Sequence, residues 1–96
     1  MEKWFKEGKG IYYYKDGTRY EGDWKSDLKE GKGIYYYNSG NRYEGDWKND
    51  LKKRKGIFYY NNGDWEIGDY LKDKRIGKHV TLNSNGNVAI NNYYLN

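Results

Sequence analysis

Chemistry in this chain would have to come from its carboxylates, its lone histidine or its basic runs. Glu21 with Asp23, and Glu44 with Asp46, stand two residues apart, so on a strand each pair shares a face. Paired acids can hydrolyse glycosides. Both pairs recur identically 23 residues apart beside Arg19 and Arg42, which points instead to cross-strand ion pairs on a solvated face. His79 has no second histidine and no cysteine to work with, so neither a nucleophile–base pair nor a zinc site can be assembled from the usual parts. No glycine-rich loop precedes a helix, so no phosphate cradle is present. The chain reads as non-enzymatic, with no catalytic or metal-binding residue and no cofactor.

The basic residues are segregated. They concentrate in three segments, Lys25–Lys32, Lys48–Lys55 and Leu71–Lys78, while the rest of the chain is net acidic. Lys52, Lys53, Arg54 and Lys55 lie in one segment, and Lys72, Lys74, Arg75 and Lys78 in the next. Such an edge keeps sheets from pairing. It could also dock an acidic protein or anionic lipid head groups, at about 1 kcal/mol per basic residue. Nucleic acid is disfavoured, because a stacking platform needs aromatic and basic residues along one groove, and here the aromatics belong to a separate, packing face.

These side chains must be positioned by something other than an oily core. The chain has 96 residues, 33% of them charged, and a mean hydropathy of −1.34. That balance leans toward disorder, but 13 Tyr, 4 Trp and 2 Phe bury large areas while tyrosine keeps a polar tip in water. Without cysteine there are no disulfide staples. No apolar run is long enough to span a bilayer as a helix, and the start MEKWFKEGKG shows no secretory signal. The expected location is cytoplasmic, with a peripheral position at a membrane as its variant. A net charge of +4 permits an anionic partner.

A repeat organises the chain. Gly10-Ile11-Tyr12-Tyr13-Tyr14 recurs as Gly33-Ile34-Tyr35-Tyr36-Tyr37 and as Gly56-Ile57-Phe58-Tyr59-Tyr60. Arg19-Tyr20-Glu21-Gly22-Asp23-Trp24-Lys25 recurs as Arg42-Tyr43-Glu44-Gly45-Asp46-Trp47-Lys48. Residues 1–96 form a single array of about four units, the first entered part-way and the fourth degenerate. Each unit reads as a β-hairpin, with turns at 15–17, 38–40, 61–63 and 84–86. A two-residue loop would scatter the aromatics over both faces. A three-residue loop with its glycine left-handed pairs Tyr12 with Tyr20 and Gly10 with Gly22, and gathers the aromatics and glycines on one face. Bare glycines there leave room for a ring to lie on the backbone. The fold class is all-β: an elongated single-layer antiparallel sheet of tandem 23-residue hairpins, each stabilised by its neighbours.

The run from Gly31 to Lys48, with spacing Gly-x-Gly-x-Tyr-x-Tyr-x-x-Gly-x-x-Tyr-x-Gly-x-Trp, resembles a MORN (membrane occupation and recognition nexus) repeat. Arg54 and His79 stand where the pattern has glycine. The resemblance implies a non-catalytic scaffold or interaction module for protein or membrane contact. A second implication is a phospholipid-proximal regulatory segment of a larger protein, such as a phosphatidylinositol-phosphate kinase. A cell-wall-binding aromatic repeat is the third reading, weakened by the lack of Trp-Tyr-Tyr signatures.

The second face changes along the chain. Trp65 and Ile67 occupy the Arg19 and Glu21 positions, and Val80, Leu82, Val88 and Ile90 extend an apolar stripe. Such a stripe is expected to be covered, by self-association through the C-terminal half or by the tail Tyr93-Tyr94-Leu95.

Overall fold

The computed structural model describes residues 6–94. These form one eight-stranded antiparallel sheet whose strands follow sequence order: β1 (Gly8–Tyr13), β2 (Arg19–Lys25), β3 (Leu28–Tyr36), β4 (Arg42–Lys48), β5 (Leu51–Tyr59), β6 (Trp65–Leu71), β7 (Lys74–Leu82) and β8 (Val88–Tyr93). A compact chain of this length would have a radius of gyration of about 12.5 Å; this one has 14.9 Å and extents of 55 × 29 × 19 Å. The expected all-β, elongated single sheet is what forms.

All four expected turns are present at their expected residues. Tyr14 N–H donates to Thr18 O at 2.9 Å, Gly17 N–H donates to Tyr14 O at 3.2 Å, and Gly17 takes a φ of 93°, the left-handed conformation that a three-residue loop needs. Tyr12 pairs with Tyr20 and Gly10 with Gly22. A short side chain closes each turn: Asp16, Ser39, Asn62 and Asn85 accept from the backbone N–H two residues on, the usual local bond of such residues.

The units themselves are joined by two-residue turns, which the sequence did not reveal. Ser26-Asp27, Asn49-Asp50 and Lys72-Asp73 all have positive φ at both positions, the mirror-image turn that suits sheet twist. Its strain is offset by tethering to the preceding connection. Asp27, Asp50 and Asp73 accept from the backbone N–H of Lys6, Lys29 and Lys52 at 2.6, 2.7 and 2.8 Å, and each donates its own N–H to the same residue's carbonyl.

The core lies on one face. Trp24, Tyr20, Trp47, Tyr43, Tyr70, His79 and Tyr93 form a chain of edge-to-face rings with centroids 4.9–5.5 Å apart, a favoured aromatic geometry. Tyr20 and Tyr43 are wholly buried. Rings do lie over glycine, at positions shifted by one strand from a simple in-row reading. Tyr20 covers Gly33 and Tyr43 covers Gly56, while Gly22 and Gly45 face the Cα atoms of those partner glycines. Bare glycine backbone also lets Trp47 Nε1 donate to Gly33 O at 3.2 Å.

Arg54 is the only non-glycine among the equivalent positions Gly8, Gly31 and Gly77, and its φ is 60°. A left-handed non-glycine residue costs about 1–2 kcal/mol, partly offset by the greater unfolded-state freedom of glycine. Arg54→Gly is expected to stabilise the fold by about 0.5–1 kcal/mol, read as a raised midpoint in urea. An unchanged or lowered midpoint contradicts this.

Candidate functional site

Opposite the aromatic core, the register aligns like positions into rows across the strands. One row runs Ile11–Glu21–Ile34–Glu44–Ile57–Ile67 from β1 to β6 and continues through Val80 and Ile90. Its part from Ile11 to Ile67 floors a groove of about 800 Å³ with Lys9, Lys32 and Lys55 on one lip. A second row runs Tyr13–Arg19–Tyr36–Arg42–Tyr59–Trp65–Leu82–Val88. The C-terminal stripe residues Trp65, Ile67, Val80, Leu82, Val88 and Ile90 are thus the continuation of two rows that cross the whole sheet. Sequence reading saw alternating faces but not the groove, which depends on sheet curvature.

The expected ion pairs form only in part. Lys9 pairs with Asp23 at 3.0 Å, and Lys32 pairs with Asp46. Arg19 and Arg42 instead lie over the Tyr36 and Tyr59 rings, 3.7 and 3.9 Å from their centroids, as guanidinium groups favour. Among the described residues Glu21 and Glu44 therefore have no charged or hydrogen-bonding partner. They stand between isoleucines in the groove.

Among the described residues the stripe is half-buried at Trp65, Ile67, Val80 and Leu82 and open at its β8 end. Val88 is 61% and Ile90 56% exposed. Tyr93 lies on the other face, its ring 5.1 Å from His79, and Tyr94 is exposed. Leu95 lies outside the described residues. Tyr93 and Tyr94 thus do not cover the stripe.

Of the eight basic-edge residues, two are engaged elsewhere. Lys52 extends over the Tyr43 ring, 4.8 Å from its centroid, and burial pushes its pKa down. Arg75 binds Glu66 at 2.7 Å. Lys53, Arg54, Lys55, Lys72, Lys74 and Lys78 have no ion pair among the described residues. Aromatic and basic residues are also less segregated than expected: Lys6, Lys29 and Lys52 all extend onto the aromatic face. Lys29 is largely covered there, with a side-chain exposure of 13%, so it offers little to a nucleic-acid strand.

His79 is fully buried, and its role is packing. Its ring lies over Gly68, Nε2 donates to Asp69 O at 2.8 Å, and Nδ1 is 2.7 Å from Glu66 Oε2. That last contact is an ion-pair distance without hydrogen-bond alignment. Glu66 stands where earlier units have Tyr20 and Tyr43, and His79 where they have Gly33 and Gly56. The ring has changed strands. Among the described residues no group of three or more acidic, histidine or cysteine side chains could hold a metal ion.

The electrostatics of the core define two pH limits. Burial works against the Glu66 charge, but hydrogen bonds and charge from Arg75 outweigh it and hold the carboxyl below its usual range. The unfolded chain then takes up the proton first, so stability present above about pH 4.3 is lost as pH falls. Burial raises Tyr14 and Tyr70 to about 12, and Tyr20 and Tyr43 higher. Their contribution is intact below about pH 10 and disappears toward pH 12 and above. A titration in which every tyrosine ionised near pH 10 while circular dichroism stayed unchanged would contradict the buried ring chain.

A family model described as MORN repeat matches residues 5–19, 20–42 and 43–65 in succession. No curated protein matches the chain.

Proposed function

Since the chain belongs to the MORN-repeat family, we propose that residues 1–96 act as one non-catalytic interaction array whose grooved face docks a protein segment. The supporting observation is the groove itself: a row of isoleucines, exposed at Ile11 and half-buried at Ile34, Ile57 and Ile67, on a sheet whose other face is cemented by rings. Ile11 at its head is 52% exposed. Apolar side chains interspersed with charged ones fit the mixed make-up of a protein-binding patch. A photo-crosslinking side chain at position 34 should give a discrete protein adduct in extracts of the source cell, and one at position 12 on the aromatic face should not. Loss of the position-34 adduct on adding Ile57→Asp supports docking in the groove. Equal labelling from both faces, or none, contradicts it.

A second reading rests on the six unpaired basic-edge residues, which suit an anionic membrane surface in the cytoplasm or a phospholipid-proximal role in a larger protein. Binding to phosphatidylserine vesicles should then fall steeply with salt, and Lys53→Glu with Arg54→Glu should remove most of it. Equal binding to neutral vesicles, or none to either, leaves the edge with a solubility role alone. Self-association through the exposed C-terminal stripe belongs to the same reading of open surfaces. Sedimentation should show a dimer that Val88→Lys dissociates, and a monomeric wild type contradicts it.

A further inference from the structure

From the groove row we infer the class of partner: a cationic amphipathic helix lying across the strands, with apolar residues over the isoleucines and Lys or Arg over Glu21 and Glu44. The inference rests on the groove being a protein-docking face and adds what kind of segment fits it.

Charge makes the first selection. Glu21 and Glu44 are the carboxylates of the groove floor, and neither has a partner among the described residues; of the lip cations, Lys9 and Lys32 are already paired, and Lys55 stands opposite Asp69 in the register of β5 and β6. A docked apolar segment would desolvate both acids, and a carboxylate removed from water without a partner is costly. A segment that brings a cation to each removes that cost, and an acidic segment would add to it.

Spacing makes the second selection. The row crosses strands, so its rungs are about 4.8 Å apart and Ile11 to Ile67 spans about 24 Å. An extended peptide along the groove presents same-face side chains about 6.7 Å apart and falls out of step within two rungs. It also runs across the strands and cannot pair with their backbone. A helix presents a side chain on one face about every 5.4 Å. Its drift against the rungs reaches about 3 Å over five intervals, within the reach of a lysine side chain. The alternation Ile11, Glu21, Ile34, Glu44, Ile57 then asks for an apolar residue every seven positions and a basic one three or four positions after each of the first two, and Ile67 asks for one more apolar residue after the third.

The test uses the full chain and three synthetic 21-residue peptides, followed by fluorescence anisotropy. One carries Leu at the first position of three heptads, Lys at the fourth position of the first two and Leu at the fourth position of the third, in an Ala/Gln background. The second has Glu in place of Lys, and the third has a central proline. The lysine peptide should bind at least tenfold more tightly than either other. Glu21→Gln with Glu44→Gln should weaken it at least fivefold and flatten its salt dependence, and Ile34→Asp should abolish binding. Equal affinity for the proline peptide overturns the helix, and equal affinity for the glutamate peptide overturns the charge assignment. No binding of any peptide, alongside a position-34 adduct, overturns this inference while the docking role of the groove stands. Absence of both removes the docking role too.

Discussion

His79→Gly is expected to destabilise the sheet by about 3 kcal/mol, and Glu66→Tyr by about 2 kcal/mol, yet the double variant should lie only about 2 kcal/mol below wild type. The first change empties a fully buried ring site, with the cavity cost of a large-to-small substitution, and removes the ring whose Nδ1 lies 2.7 Å from Glu66 Oε2. The second forces a tyrosine into space that the His79 ring already fills above Gly68, an overpacking penalty. Together they rebuild the arrangement of the earlier units, where Tyr20 lies over Gly33 and Tyr43 over Gly56. Arg75 loses its carboxylate but gains a ring beneath it, as Lys29 has Tyr20 and Lys52 has Tyr43. The implied coupling of about 3 kcal/mol sits at the upper end for contacting residues. Additive penalties in a urea-denaturation cycle would show that the two positions are independent, and the exchange of ring between strands would then be coincidence.

Gly33→Val should cost about 3 kcal/mol or more, whereas Gly10→Val should change stability by under about 0.5 kcal/mol. Both glycines occupy the same place in the repeat. They differ in what lies above them: a Cβ at Gly33 would fall within the Tyr20 ring, and one at Gly10 meets no atom of the described residues within 4 Å. Tyr20 cannot yield easily, because Trp24 and Trp47 hold its ring at 4.9 and 5.5 Å and its hydroxyl donates to Asp23 O at 3.1 Å. Displacing it forfeits the burial of a whole aromatic side chain in addition to the overpacking strain. Equal losses at both positions would mean that backbone conformation, and not the ring, dictates glycine there.

Alternation and turn chemistry made the hairpins legible in the sequence, because a single choice of loop length put every recurrent aromatic on one face. The direction in which each ring leans was not legible. Tyr20 reaches the glycine of the next strand because of how neighbouring strands twist, and twist leaves no mark in residue types. The turns at Ser26-Asp27, Asn49-Asp50 and Lys72-Asp73 were hidden for a different reason. Their left-handed residues are not glycine, and the aspartate in each bonds to backbone 21 residues earlier. The unbroken 23-residue spacing of Asp27, Asp50 and Asp73, beside neighbours that vary, was the available signal. For the site, alternation groups the stripe residues on one face, but the alignment of Ile67 with Ile11, Ile34 and Ile57 in one groove required the register across the strands. Lys52 and Arg75 were grouped with the basic edge because charge alone does not show whether a side chain turns back over the rings.

The strictly sequential strand order bears on how the chain reaches this state in time. Each strand pairs only with its neighbours in sequence, so the loops closed during folding are two or three residues long and their closure entropy is small. Low contact order of this kind goes with rapid folding, even though β-rich domains are generally slow. During synthesis, each hairpin can dock as it emerges onto the one already formed, without waiting for distant sequence. The ring that completes each glycine contact in the first two units, Tyr20 for Gly33 and Tyr43 for Gly56, is always made first; in the exchanged pair Gly68 waits for His79, and the last part of the sheet should be the latest to lock.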